Sequence, residues 1–252
     1  MNYSKLIVFS LAACAASSSF AFSVTPGTVV GFDVNTSSLV EYDFSGSINE
    51  TLVVTGLPNT NVGVAILGNR VFVGDVAGNV GEVNLGTGAV SGLFSTGLNE
   101  ALGDNGRELL ALNYNSGTVQ RFTPGGSLVG SSGTNVGNTG VDGTPNTMYT
   151  ANYNDGRIYR WDYAGNNLGS FATGLANGSL SGLGYDPVSG FTWVSAGFGD
   201  DSIRAYDAAG NQVINFASNK GWINGLDVVP VPEPATMAVF ALGLLALRRR
   251  KK

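Results

Sequence analysis

The sequence predicts an all-β fold, a β-propeller of five four-stranded blades. Three observations carry that expectation. A turn–strand–turn unit recurs five times: aligning Tyr42, Val83, Phe122, Trp161 and Tyr206 gives spacings of 41, 39, 39 and 45 residues. A period near forty residues with four short strands per repeat is the sequence mark of a propeller. Between the two chain ends, no stretch keeps a helical apolar period over about ten residues. Finally, the first repeat lacks an innermost strand, and the chain end supplies one.

The elements follow in order. Residues 1–21, MNYSKLIVFSLAACAASSSFA, carry one cation, Lys5, then an apolar stretch and then small residues. This is the build of a secretory signal peptide, with cleavage expected after Ala21. A rival reading takes Leu11-Ala12-Ala13-Cys14 as a lipobox, which would make Cys14 a lipidated first residue. Cys14 is the only cysteine, so the domain that follows has no disulfide of its own.

Residues 22–229 form the propeller domain. The third strand of each repeat reads SSLVEYDFSG, GNVGEVNLGTG, GTVQRFTPGG, GRIYRWDYAGN and DSIRAYDAAGN. Each is preceded by a second run: VVGFDV, RVFVGDV, ELLALNY, TMYTANY or FTWVSAG. Gly, Asn, Asp and Ser clusters between the runs suit tight hairpins. Segments such as LVVTGL, LFSTGL and SFATGL make fourth strands. Residues 222–229 align with the openings of other repeats at Gly63-Val64-Ala65-Ile66 and Gly182-Leu183-Gly184-Tyr185. The last strand is therefore expected to complete the first blade, closing the ring by pairing the N- and C-terminal strands. A β-solenoid or an open sandwich is the competing architecture.

Charge narrows the function classes. Residues 22–229 hold seven cations and seventeen acids, a net charge of −10 that the cationic chain end masks. Such a domain does not favour nucleic acid or anionic headgroups. The chain has no His, which removes His-based triads and His or Cys metal sites. No metal site is expected, and no cofactor; oxygen-ligated calcium is the one ion the composition leaves open.

At the chain end, residues 235–247 carry no charge, and Arg248, Arg249, Arg250, Lys251 and Lys252 follow. As a helix this apolar run spans roughly 20 Å, short of the about 30 Å of a hydrocarbon core, a gap that snorkelling and thinning can close. The cations mark the cytoplasmic side. A short C-terminal hydrophobic transmembrane helix is expected over 235–247, with a basic cytoplasmic tail over 248–252.

Val231-Pro232-Glu233-Pro234, the apolar run and the arginines together resemble the PEP-CTERM sorting signal of Gram-negative bacteria, a tail also known as the ice-binding protein C-terminal domain. The resemblance covers residues 230–252. It implies export, a transient inner-membrane anchor, recognition by an exosortase near Pro232–Pro234, and delivery to the cell surface or to an exopolysaccharide (biofilm) matrix. It is an address and not an activity. The blade motifs, as in Arg160-Trp161-Asp162-Tyr163-Ala164-Gly165-Asn166 and residues 204–211, resemble the NHL, SMP-30 and lactonase-like propellers. That resemblance implies packing and turns rather than chemistry.

In a propeller of this direction, the loops between second and third strands share one face with the loops between blades. Both sets are rich in amides and hydroxyls, which bond sugar hydroxyls as donor and acceptor, although turns select the same residues. The candidate ligand-binding residues are Asn99, Asn115, Asn154, Asp155, Asn177, Asp200 and Trp222; Tyr114, Tyr153 or Trp222 could stack on a sugar face. No catalytic residues are expected. The expectation is a non-enzymatic protein that binds glycan or protein through one face. A purely structural envelope protein is the alternative, and so is a carboxylate-dependent glycosidase or lactonase using Asp33, Asp75, Asp142 or Asp227.

Overall fold

The computed structural model describes residues 21–197 and 199–231. The signal peptide up to residue 20, Cys14, the apolar segment 235–247, Pro232, Glu233, Pro234 and the terminal cations Arg248, Arg249 and Arg250 lie outside these residues. Among the described residues, twenty strands and no helix form five antiparallel four-stranded sheets.

The chain begins with β1 (Thr28–Asp33), β2 (Ser38–Asp43) and β3 (Ile48–Val53). Blade two is β4 (Asn61–Leu67), β5 (Arg70–Asp75), β6 (Asn79–Val83) and β7 (Val90–Ser95). Blade three is β8 (Ala101–Asp104), β9 (Leu109–Leu112), β10 (Thr118–Phe122) and β11 (Leu128–Gly133). Blade four is β12 (Asn138–Gly143), β13 (Met148–Asn152), β14 (Arg157–Trp161) and β15 (Asn167–Ala172). Blade five is β16 (Leu180–Tyr185), β17 (Thr192–Ala196), β18 (Ser202–Tyr206) and β19 (Gln212–Ala217). The last strand, β20 (Ile223–Val229), pairs antiparallel with β1, Thr28 opposite Val229 and Gly31 opposite Leu226. The circular join expected from the sequence is thus present, and the fold is a five-bladed propeller.

The five aligned positions all fall near the ends of third strands: β2, β6, β10, β14 and β18. In four blades the register against the outer strand shifts just before that residue, at Glu41/Tyr42, Arg121/Phe122, Arg160/Trp161 and Ala205/Tyr206. One residue later the outer hairpin is capped from within. Asp43, Asp162 and Asp207 each accept two turn N–H groups on Oδ1, as in Ala164 and Asn166 onto Asp162. These are local Asx contacts of the kind that makes Asp and Asn turn formers. The repeated Asp–x–x–Gly spacing is therefore a hairpin clasp.

Packing explains the period. No blade buries both faces alone, so each apolar cluster lies between two neighbours. One joins Val30, Phe32 and Leu39 of the first blade to Val64, Val71 and Val73 of the second. Another joins Tyr42 and Val40 to Trp193, Ile203 and Ala205 of the fifth, which seals the ring. Phe22 is buried in the first of these clusters, and its N–H donates to the Leu85 carbonyl at 2.9 Å. Ala21, the expected cleavage residue, is exposed immediately before it.

Around the axis, Gly63 backs onto Leu102, Gly103 onto Val141, Gly140 onto Leu183, Gly182 onto Gly225, and Gly225 onto Gly63. The inner strands thus touch in a closed circle. At Gly103 the approach is tight enough that a Cβ would sit 1.9 Å from the Val141 carbonyl oxygen.

Candidate functional site

All five inner strands run in the same direction, so the axial channel has two chemically distinct ends. At the entry end lie the starts of β4, β8, β12, β16 and β20 with the loops joining second to third strands. At the exit end the inner strands finish, and the chain leaves β20 through Pro230.

The entry end holds a cavity of about 370 Å³. It is lined by Glu100, Tyr114, Tyr153, Trp222, Thr139, Ser181, Asn224 and three aliphatic side chains. Tyr114 and Tyr153 meet edge to face, with ring centroids 6.3 Å apart. The Tyr114, Thr139 and Ser181 hydroxyls that line it, and the Asn224 amide oxygen, are engaged by protein groups. Trp222 Nε1 donates to Ser181 Oγ at 2.7 Å, and Ser181 donates to Asn224 Oδ1 at 3.1 Å. Thr139 donates to the Leu180 carbonyl at 2.8 Å. The Tyr114 hydroxyl reaches out of the cavity to Asn154 Oδ1 at 3.1 Å. Glu100 differs. Its carboxyl has no hydrogen-bond or ion-pair partner among the described residues, and burial pushes it up to about 7. Among the described residues, no Lys or Arg lines the cavity.

The residues selected from the sequence divide. Trp222 lines the cavity, and Asn154 holds Tyr114 at its rim. Asn99 lies beside Glu100 and accepts from the Asn113 side chain at 3.0 Å. Asn115, Asp155 and Asn177 are exposed in the surrounding loops; Asp155 accepts from the Tyr159 hydroxyl at 2.6 Å. Asp200 is tied to Ser202 and, at 2.6 Å, to Arg204. The cavity therefore gathers the three aromatics named from the sequence and adds Glu100, which follows Asn99 but is not among the residues selected from the sequence. A carboxylate in an Asn-rich loop reads as ordinary turn chemistry until burial sets it apart.

The exit end holds a larger cavity of about 510 Å³, with Asp104, Asp142 and Asp227 among its lining residues. Their carboxylates lie within 4.8 Å of one another, and all three are buried. All six oxygens accept backbone N–H groups. Asp142 bridges both neighbouring strands, taking Asp104 N–H at 3.0 Å and Tyr185 N–H at 2.5 Å. Asp227 takes Ile66 N–H at 2.5 Å and Val228 N–H at 2.6 Å. Asp104 takes Ile66 N–H at 3.1 Å and Gly106 N–H at 2.6 Å. Inner strands have one unpaired edge facing the channel, and here carboxylates satisfy it. The trio is a clamp between blades. Burial pushes Asp104 up to about 6, and burial followed by the neighbouring charges pushes Asp142 and Asp227 well above the usual carboxylate range.

Two of the four acids considered for carboxylate catalysis lie elsewhere. Asp33 and Asp75 end second strands, not inner ones, and cap entry-end turns through Asn35 and Ala77 N–H. Asp104 was missed. Gly140-Val141-Asp142 and Gly225-Leu226-Asp227 share a Gly–x–Asp pattern. The short strand β8 offers Gly103-Asp104, one residue out of step.

The chain continues from the exit end into residues 230–252, which match the PEP-CTERM protein-sorting motif. The chain carries a PEP-CTERM sorting signal. That signal implies an exported protein, anchored at the membrane by its C-terminus and processed there by an exosortase. No curated protein matches the sequence. Among solved structures, a chain of the nidogen/laminin complex is similar at 13% identity, covering 81% of this chain and 99% of that one, with a TM-score of 0.54. U3-55K is similar at 14% identity, covering 82% of this chain and 69% of that one, with a TM-score of 0.51. A protein of unknown function from Bacteroides caccae is similar at 9% identity, covering 77% and 74%, with a TM-score of 0.50. At these identities the likeness speaks for the propeller fold alone.

Proposed function

We propose that this PEP-CTERM propeller is a non-enzymatic binding protein that holds a glycan of the exopolysaccharide matrix at the entry end of its channel. The observation that carries the reading is the cavity lined by Tyr114, Tyr153 and Trp222. Aromatic rings stack on the apolar faces of sugars, and the amide-rich rim of Asn99, Asn115, Asn154 and Asn177 offers paired donors and acceptors to ring hydroxyls. The orientation supports it. The sorting signal follows directly from the exit end, so an anchored molecule holds its entry end away from the bilayer. Delivery to the cell surface or matrix then leaves that end open to polymer.

The non-enzymatic reading rests on the cavity's single carboxyl, Glu100, where a glycosidase needs two flanking one bond. The acids that do cluster are at the opposite end, with their oxygens engaged by backbone N–H groups. A glycan array probed with the full chain, with and without calcium, tests the proposal. Saturable binding is expected, lost in Trp222→Ala and Tyr153→Ala while the melting temperature stays within a few degrees. No binding to any glycan in either condition overturns it.

A further inference from the structure

We infer that the entry cavity selects saccharides bearing a free amino group, with Glu100 receiving the ammonium and the aromatic rings receiving the sugar ring. This rests on the glycan-binding reading above and names its ligand class. The argument starts from what the cavity leaves unsatisfied. Thr139, Ser181 and Asn224 have protein partners, and the Trp222 N–H is spent on Ser181. The Glu100 carboxyl has none among the described residues, although it is half-buried at the mouth. A half-buried carboxylate without a donor is costly and is relieved by a ligand that brings one. A cationic donor gives the larger relief, because charge-assisted hydrogen bonds are about twice as strong as neutral ones. Tyr114, Tyr153 and Trp222 add electron-rich faces that favour a cation. Among the described residues, the titratable groups lining the cavity are Glu100, Tyr114 and Tyr153; Lys220 precedes Trp222 by two residues but lies outside the lining. Among the described residues, no cation lines the cavity to compete with the ligand.

The test compares glucosamine oligomers with N-acetylglucosamine oligomers of equal length, by calorimetry on the full chain in detergent. At pH 7.5 the amine form is expected to bind about tenfold tighter or more. At pH 5.5, below the titration of Glu100, that preference falls by about tenfold. Glu100→Gln abolishes the preference and leaves the acetylated ligand bound, whereas Glu100→Asp, which keeps the charge, retains part of it. Equal binding of the two oligomers, or an unchanged preference in Glu100→Gln, refutes the inference while glycan binding stands. The second result would assign the preference to the general negative charge of the domain. Failure of both oligomers and of the wider array removes the binding reading itself.

Discussion

The three axial carboxylates make the stability of the ring depend on pH in an unusual direction. Asp104 is raised from 3.8 to about 6 in the folded protein, chiefly by burial. A raised carboxyl binds its proton more tightly when folded. Its contribution is fully present below the unfolded value near pH 4 and is lost as pH rises through about 6. A shift of this size corresponds to about 3 kcal/mol. Asp142 and Asp227 are raised as well, chiefly by burial and with the same sign, so they add to the loss as pH rises. For a domain of this length about 3 kcal/mol is roughly 6–12 °C in Tm. Thermal melts of the full chain followed by near-ultraviolet circular dichroism, in chelator between pH 4.5 and 8, are expected to show Tm falling as pH rises. Asp227→Asn removes one charge and keeps an acceptor oxygen, so it flattens the slope and melts above the parent at pH 8. Asp201→Asn, in a turn far from the axis, controls for net charge and leaves the slope in place. A Tm that is flat or rises between pH 5 and 8, or an Asp227→Asn slope equal to the parent's, refutes the reasoning. If calcium abolishes the slope in the parent chain, a cation rather than protons neutralises the cluster.

Two further outcomes test the packing. Gly103→Ala places a methyl against a backbone oxygen that cannot swing aside, and is expected to abolish cooperative melting or lower Tm by more than 10 °C, roughly 3 kcal/mol or more; a neutral result would mean the inner strands are not in contact there. Phe22→Ala empties a site between the first two blades and is expected to cost about 3 kcal/mol in denaturant titration, whereas a cost below about 1 kcal/mol would exclude Phe22 from the core.

Much of this fold was legible because its rules are local. The third strands show themselves by an apolar or aromatic residue followed by a capped hairpin, and the caps at Asp43, Asp162 and Asp207 use contacts spanning two to four residues. Closure was legible because β20 repeats the glycine-rich opening of other inner strands. The sites were less so. Asp33, Asp75, Asp142 and Asp227 are alike in sequence, each following a glycine by one or two residues in a strand-like segment. Only the strand each one occupies separates a turn cap from a channel clamp. Glu100 was hidden for the same reason in reverse: nothing in Leu98-Asn99-Glu100 distinguishes a solvated loop acid from one sheltered by Trp222 and Tyr114, which are distant in sequence.

The direction of the inner strands links the sorting signal to one end of the channel. Because β20 is an inner strand that runs from entry to exit, the chain leaves the ring beside the axis and passes within a few residues into the sorting signal. The same strand carries Asn224 into the aromatic cavity at its start and Asp227 into the carboxylate clamp near its end. Had the ring closed with an outer strand instead, the chain would leave the propeller at its rim rather than beside the axis. Closure by β20 thus fixes two things at once: the last blade contact, and the end of the channel from which the chain leaves toward the sorting signal.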